Sequence, residues 1–164
     1  MYQYVHCELY PDQNQRDIID KTINASRFLY NKMMVDKLQH YQKHKEILYN
    51  TPSQYKHLIE FVEDIDSTAL NNVGRQVFMD FHKHERSPSF KKNSDKVKSY
   101  KTNNNNNSIR FENGKIRLPK LKWVDCIPLS VIPKDMDLKF VTVSRNDKNK
   151  YFINIAYKSK QEVA

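Results

Sequence analysis

Over the first ten residues apolar and polar positions alternate, with Val5, Cys7 and Leu9 set against His6 and Glu8. A period of two is that of a strand with one buried face, and it predicts a strand over residues 2–9. Pro11 ends it, and Asp12 followed by Gln15 makes a capping box that opens a helix. From about Gln13 to about Lys45 the period becomes helical: Ile19, Ile23, Ser26, Tyr30, Met33 or Met34 and Leu38 share a side, and no Pro or Gly intervenes. A loop around Asn50–Pro52 precedes a shorter helix from about Ser53 to Phe61. Asp66 then caps a third helix, expected to bury Leu70, Val73, Val77, Phe78 and Phe81. Gly74 inside that helix costs ~1 kcal/mol of propensity, which marks a close helix crossing. Pro88 closes the helical half.

The second half changes period. Ile109 to Phe111 and Lys115 to Leu118 flank Glu112-Asn113-Gly114, a hairpin signal because Asn-Gly accepts the positive φ of a tight turn. Pro119, Pro128 and Pro133 interrupt the segment around Trp123 and Val124. Leu138 to Ser144 and Lys150 to Tyr157 alternate as a second hairpin, and Tyr157 onward reads as a frayed end. The pattern predicts an α+β fold: a small antiparallel β-barrel, its first strand at the N-terminus, with a domain of about three helices inserted. The expected division is 1–10 for the first barrel strand, 11–86 for the helical domain, 87–108 for a basic Asn-rich linker, 109–158 for the remaining strands and 159–164 for a tail.

Charge sharpens this picture. The formal net charge is +9, yet residues 1–82 hold nine Lys/Arg against eleven Asp/Glu, whereas residues 83–122 hold twelve against three. So concentrated an excess attracts polyanions, phosphate backbones first among them, although a solvated basic loop has the same composition. Phe90, Tyr100, Asn103 to Asn107, Phe111 and Trp123 interleave with it and supply stacking faces and amide hydrogen bonds, which favours nucleic acid. The Asn run by itself reads equally as a loop. No apolar run approaches the ~20 residues of a membrane span, so no membrane partner is expected. With only Gly74 and Gly114, neither a dinucleotide-binding nor a P-loop glycine motif can be built. Two cysteines, Cys7 and Cys126, make neither a disulfide framework nor a CxxC pair, and the expected setting is cytoplasmic.

Catalytic constellations are weak. His40 and His44 have the i, i+4 spacing of metal ligands, but neighbouring lysines oppose a cation and a solvated helix face fits them better. His82 and His84 suit a helix terminus. Glu60, Glu63, Asp64 and Asp66 sit between helices, where capping and solvation account for them. No metal and no cofactor is expected.

Several strings, in order, resemble one family: Leu9-Tyr10-Pro11 with Gln15; Ser26 to Asn31; Asp66 to Leu70; Ser99 to Thr102; Gly114 to Leu121; Trp123-Val124; Val141 to Ser144 and Lys150 to Phe152. Together they look like the N-terminal half of TnpB (OrfB) proteins, the RNA-guided nucleases of IS200-type insertion sequences. The resemblance implies a wedge-type barrel with an inserted recognition domain. In that family these parts grip the DNA duplex beside the target and read a short adjacent motif, and the barrel holds the guide RNA scaffold. Carried over by position, the candidates for DNA contact are Tyr49, Ser53, Ser67, Thr68, Asn71, Asn105 and Asn106. Lys120, Lys122 and Trp123 carry over to the segment near the RNA, while the charge of the basic stretch itself makes Lys91, Lys92, Lys96, Lys98, Lys101 and Arg110 candidates for phosphate or RNA contact. Each doubles as a helix cap or an exposed polar residue on its own chemistry. The family often has Gly where this chain has Asn24, Ser87 and Lys122, which bears on local turns.

The family's RuvC-like nuclease domain would begin beyond the strand near Tyr157, whereas this sequence stops at Ala164. The expectation is therefore a non-enzymatic module that binds target-adjacent duplex DNA and guide RNA. The alternatives are one part of a split RNA-guided endonuclease, completed by a separately encoded nuclease domain, and a DNA-binding regulator.

Overall fold

The computed structural model describes residues 1–84 and 95–160. It is an α+β fold of two units, one formed by Met1–Asp20 with Lys96–Ala164 and the other by Lys21–Asp95. Strand β1 (Gln3–Tyr10) leads into helix α1 (Gln13–His44), two short 3₁₀ helices (Pro52–Leu58 and Val62–Asp64) and helix α2 (Ser67–His84). Six strands follow: β2 (Lys98–Asn103), β3 (Arg110–Glu112), β4 (Lys115–Leu118), β5 (Lys122–Pro128), β6 (Met136–Arg145) and β7 (Tyr151–Ser159).

The first unit is a curled, seven-stranded antiparallel sheet, a half-barrel with strand order β2-β6-β7-β1-β5-β4-β3. The N-terminal strand lies at its centre, paired with β7 on one side and β5 on the other. Alternation decides the buried face: Val5, Ile155, Val141 and Thr102 form one cross-strand row, and all four are buried. Cys7 and Cys126 are free and buried on the same side, where they pack as small apolar side chains. The Asn-Gly signal holds: Asn113 and Gly114 both take positive φ (50° and 75°), as a two-residue turn between β3 and β4 requires. Asn146 closes the β6–β7 turn, its side-chain oxygen accepting from the backbone N–H of Lys148 (3.0 Å) and Lys150 (2.9 Å).

Three segments differ from the sequence pattern. Residues 98–103 fall within the expected linker, yet form β2, because Tyr100 and Thr102 turn inward while Lys101 points out. The Pro-broken segment around Trp123 is strand β5, because Pro119 precedes it and Pro128 occupies its last position, where no inner ladder bond is lost. Beyond Tyr157, expected to fray, β7 continues to Ser159 and Tyr157 itself is buried.

At the start of α1 the capping box is complete. The backbone N–H of Gln15 donates to Asp12 Oδ1 (2.8 Å) and that of Asp12 donates to Gln15 Oε1 (2.9 Å). Gln15 Nε2 also donates to the carbonyls of Leu121 (3.0 Å) and Trp123 (2.9 Å), fixing the helix start to the entry of β5.

The second unit has its own core, in which Leu29, Tyr30, Met33 and Met34 from α1 meet Tyr55, Ile59, Ile65, Leu70, Val77 and Phe81. Asp66 caps α2 through Oδ1, which accepts from the N–H of Thr68 at 2.9 Å. The shorter helix expected from about Ser53 to Phe61 is the 3₁₀ helix Pro52–Leu58, which starts on Pro52 and places Tyr55 inward. Phe78, expected in the core, is 45% exposed instead, because positions 70, 73, 77 and 81 already fill the inward stripe.

Candidate nucleic-acid interface

The second unit carries a groove of about 490 Å³ between the chain at 49–52 and one face of α2. On α2 its wall is Asn71, Gly74, Arg75, Phe78 and Met79, whose spacing of three and four residues makes a second helical stripe beside the buried one. Opposite stand Tyr49, Asn50, Thr51 and Pro52, with Lys37 of α1 beneath. At its floor Pro52 packs directly on Gly74, an approach only glycine permits, since a Cβ there would meet Pro52 Cγ at 2.6 Å and Cδ at 2.7 Å. Tyr49 is 68% exposed, and its ring lies 6.4 Å from that of Phe78, which in turn packs on His82 at 4.2 Å. The mouth is therefore aromatic, edged by the amide of Asn71 and the guanidinium of Arg75.

Lys37 is the electrostatic feature of this groove. Only 1% of it is exposed, its ammonium donates to the carbonyl of Leu48, and the rings of Tyr49 and Phe81 lie 5.8 Å and 5.6 Å from Nζ. Burial pushes its pKa below the ordinary 10.5, since a charged amine loses hydration there. Nearby, burial and then the Asp36 carboxylate, 2.7 Å from its hydroxyl, keep Tyr55 protonated with a pKa pushed up to about 12. Asn50 donates to Tyr55 Oη (2.8 Å) and to the Met33 carbonyl (3.2 Å), while its buried Oδ1 has no partner among the described residues. Lys37 and Asn50 thus brace the floor from within, and the surface open to a ligand is the aromatic mouth with the polar side chains at its edge.

Of the sequence candidates, Tyr49 and Asn71 come together on this groove. Ser53 lies beside it, its hydroxyl 3.1 Å from that of Thr51. Ser67 and Thr68 occupy the first turn of α2, where Thr68 answers to the Asp66 cap. Asn105 and Asn106 belong to the other unit, in the β2–β3 connection, and both are exposed. There the Asn run has a structural use: Asn104 donates to the Leu138 carbonyl (2.9 Å) and accepts from the N–H of Ile109 (3.0 Å). Asn106 and Asn107 take φ of 54° and 59°, a conformation Asn tolerates better than most residues.

The basic candidates of the sheet unit are spread over several elements. Lys96 precedes β2, and Lys98 and Lys101 lie on it, Lys101 with its ammonium 4.0 Å from the Phe140 ring centre. The guanidinium of Arg110 lies 5.8 Å from the Trp123 ring centre, and Arg117 stands between them in the register. Lys120 and Lys122 are exposed and take positive φ, 70° and 59°. The N–H of Leu121 donates to the Leu118 carbonyl at 3.1 Å, so Pro119 and Lys120 are the central pair of a type II turn. Lys91 and Lys92 lie outside the described residues.

Sequence reasoning missed Lys37, Arg75, Phe78 and Met79. The signal was present as a repeat of 71, 74, 75, 78 and 79 at helical spacing, but its mixed chemistry hid it beside the cleaner apolar stripe.

Among the described residues no helix is long and apolar enough to cross a membrane. No curated protein matches the chain at a significant level. Residues 1–46, which form β1 and α1, match the family model HTH_OrfB_IS605, described as a helix-turn-helix domain. The N-terminal region is thus similar to that of OrfB-type proteins of IS605 insertion sequences, a likeness that points to DNA as the partner.

Proposed function

We propose that this chain is a nucleic-acid-binding module of a TnpB-like transposon protein, holding duplex DNA beside a target site and a guide RNA scaffold. The observation that carries the reading is the groove of the helical unit, where Tyr49, Asn71 and Arg75 converge around an aromatic mouth. Amide and guanidinium groups read base edges, Asn pairing with adenine and Arg with guanine, while an exposed ring packs on a thymine methyl or a sugar. Serine and threonine hydroxyls at 51, 53, 67 and 68 supply contacts that position a phosphate without reading sequence. The match of residues 1–46 to an OrfB helix-turn-helix model supports the DNA half of this reading. The RNA half is supported by the cations of the sheet unit, among them Arg110, Lys120 and Lys122, displayed with Trp123.

The test is anisotropy with a labelled duplex pool at several salt concentrations. Tyr49→Ala and Asn71→Ala should weaken binding to preferred duplexes while leaving the salt slope unchanged, since neither removes a charge. Unchanged affinity in both variants would place duplex binding elsewhere.

A second reading, one part of a split endonuclease, is favoured by a separate observation. Ile127, Leu129 and Val131, at and beyond the end of β5, are 55%, 61% and 90% exposed, an apolar strip available to another chain. Purified chain mixed with a separately encoded nuclease domain would test it, co-elution being the supporting result.

A further inference from the structure

The outward face of β1, β7, β6 and β2 carries an arrangement that the groove does not use. Strand register places Tyr4, Ala156, Phe140 and Asn103 in one cross-strand row, and His6, Asn154, Thr142 and Lys101 in the next. Ala156 is fully covered although it faces outward, because Tyr4 and Phe140 close over its small side chain from either side. Phe140 receives Tyr2 edge-on at 5.3 Å and Tyr4 at 6.4 Å, yet Tyr2 and Tyr4 remain 44% and 51% exposed. Ammonium groups lie over the rings: Lys101 Nζ is 4.0 Å from the Phe140 centre and Lys158 Nζ 5.2 Å from that of Tyr2. Of the acids on this face, Glu8 lies at the far end of β1, engaged by the Tyr10 hydroxyl, and Asp137, opposite Lys158 in the register, is paired with Lys139 at 2.7 Å.

We infer that this face is a stacking platform for unpaired nucleotides of a single-stranded nucleic acid. The inference deepens the proposed RNA-holding role of the sheet unit and rests on it. Three aromatic rings on one sheet face, bordered by amides and lysines, offer flat surfaces for bases and cations for the intervening phosphates. Paired bases in a duplex cannot present their faces to such rings, so the site selects unpaired segments. A base arriving on Tyr2 or Phe140 displaces the lysine from the ring, and the freed ammonium moves to the adjacent phosphate. The exchange is favourable because a stacked base gains more than an exposed cation–π contact loses.

The experiment uses the full chain and a short fluorescein-labelled oligothymidylate. Tyr4→Ala combined with Phe140→Ala should weaken binding about tenfold or more, whereas Tyr4→Phe should bind as the parent does. Lys158→Ala should lower the salt slope by about 0.7, the value for one phosphate contact on a single strand. A 5-iodouracil oligonucleotide should crosslink to Tyr2, Tyr4 or Phe140, a readout that needs no variant to fold. Equal affinity in the doubly substituted chain, or crosslinks confined to other residues, would overturn the inference. Loss of oligothymidylate binding in Asn71→Ala, with the ring variants unaffected, would also overturn it by moving the site to the groove. Duplex binding left unchanged in Tyr49→Ala and Asn71→Ala, with oligothymidylate binding lost in the ring variants, would fail the groove reading and leave the platform standing.

Discussion

Pro52 occupies the space that a side chain at Gly74 would need, its Cγ only 2.6 Å from where a Cβ would stand. The contact sets the width of the candidate groove, since both residues line it. On helix propensity alone Gly74→Ala would stabilise α2 by ~1 kcal/mol. The proline ring is stiff and seated at the start of a 3₁₀ helix, so the overlap should decide the sign instead. Gly74→Ala is expected to lower stability by about 1–3 kcal/mol, measured by urea unfolding. A gain in stability would show that the two elements part easily.

Lys37 makes a pH-dependent prediction. Its folded pKa lies below the ordinary 10.5, so between the two values the unfolded chain binds more protons and stability rises with pH. Lys37→Met removes this dependence while leaving the tyrosine contributions common to both proteins. The parent should therefore gain stability relative to Lys37→Met as pH is raised toward 10.5, in paired thermal melts. A constant difference between the two would mean that Lys37 keeps its ordinary pKa.

The type II turn at Leu118–Leu121 forces Lys120 to a φ of 70°. A β-carbon is strained there and glycine is not, although glycine adds freedom to the unfolded chain. Lys120→Gly should raise stability by about 0.5–1 kcal/mol, seen as a higher denaturation midpoint. Lys122, at φ 59°, stands where the resembled family often has Gly, and should respond in the same direction.

Within the Asn run the positions should separate. Asn104→Ala removes two hydrogen bonds and leaves the amide of buried Ile109 unpaired, at a cost of about 2–3 kcal/mol. Alanine at exposed Asn105 should change stability by less than about 0.5 kcal/mol. Chemical denaturation of the two variants checks this, and equal effects would contradict the stapling role of Asn104.

Much of the fold was legible because local and global signals agree. The Asp12–Gln15 box, the alternation around Cys7 and the Asn113-Gly114 turn each dictate a conformation through their own chemistry. Strand β5 was hidden because its flanking prolines argue against a strand, and only the chain folded back on β1 shows that they stand at its ends. Strand β2 was obscured by charge, since a half-buried edge strand needs only Tyr100 and Thr102 turned inward. The groove was half legible. Tyr49 and Asn71 could be named by resemblance, whereas Lys37, Arg75 and Phe78 become partners only through the packing of α2 on Pro52. Burial of a lysine depends on tertiary neighbours, and no period in a sequence announces it.

The central claim is that the helical unit reads a DNA sequence through its groove. The most direct measurement is selection from a random duplex library by the parent chain and by Asn71→Ala, followed by sequencing of the bound fraction. A short preferred motif for the parent, with preference relaxed at one position for Asn71→Ala, is the expected result. No enriched motif, or the same motif at equal strength for both chains, would contradict the account.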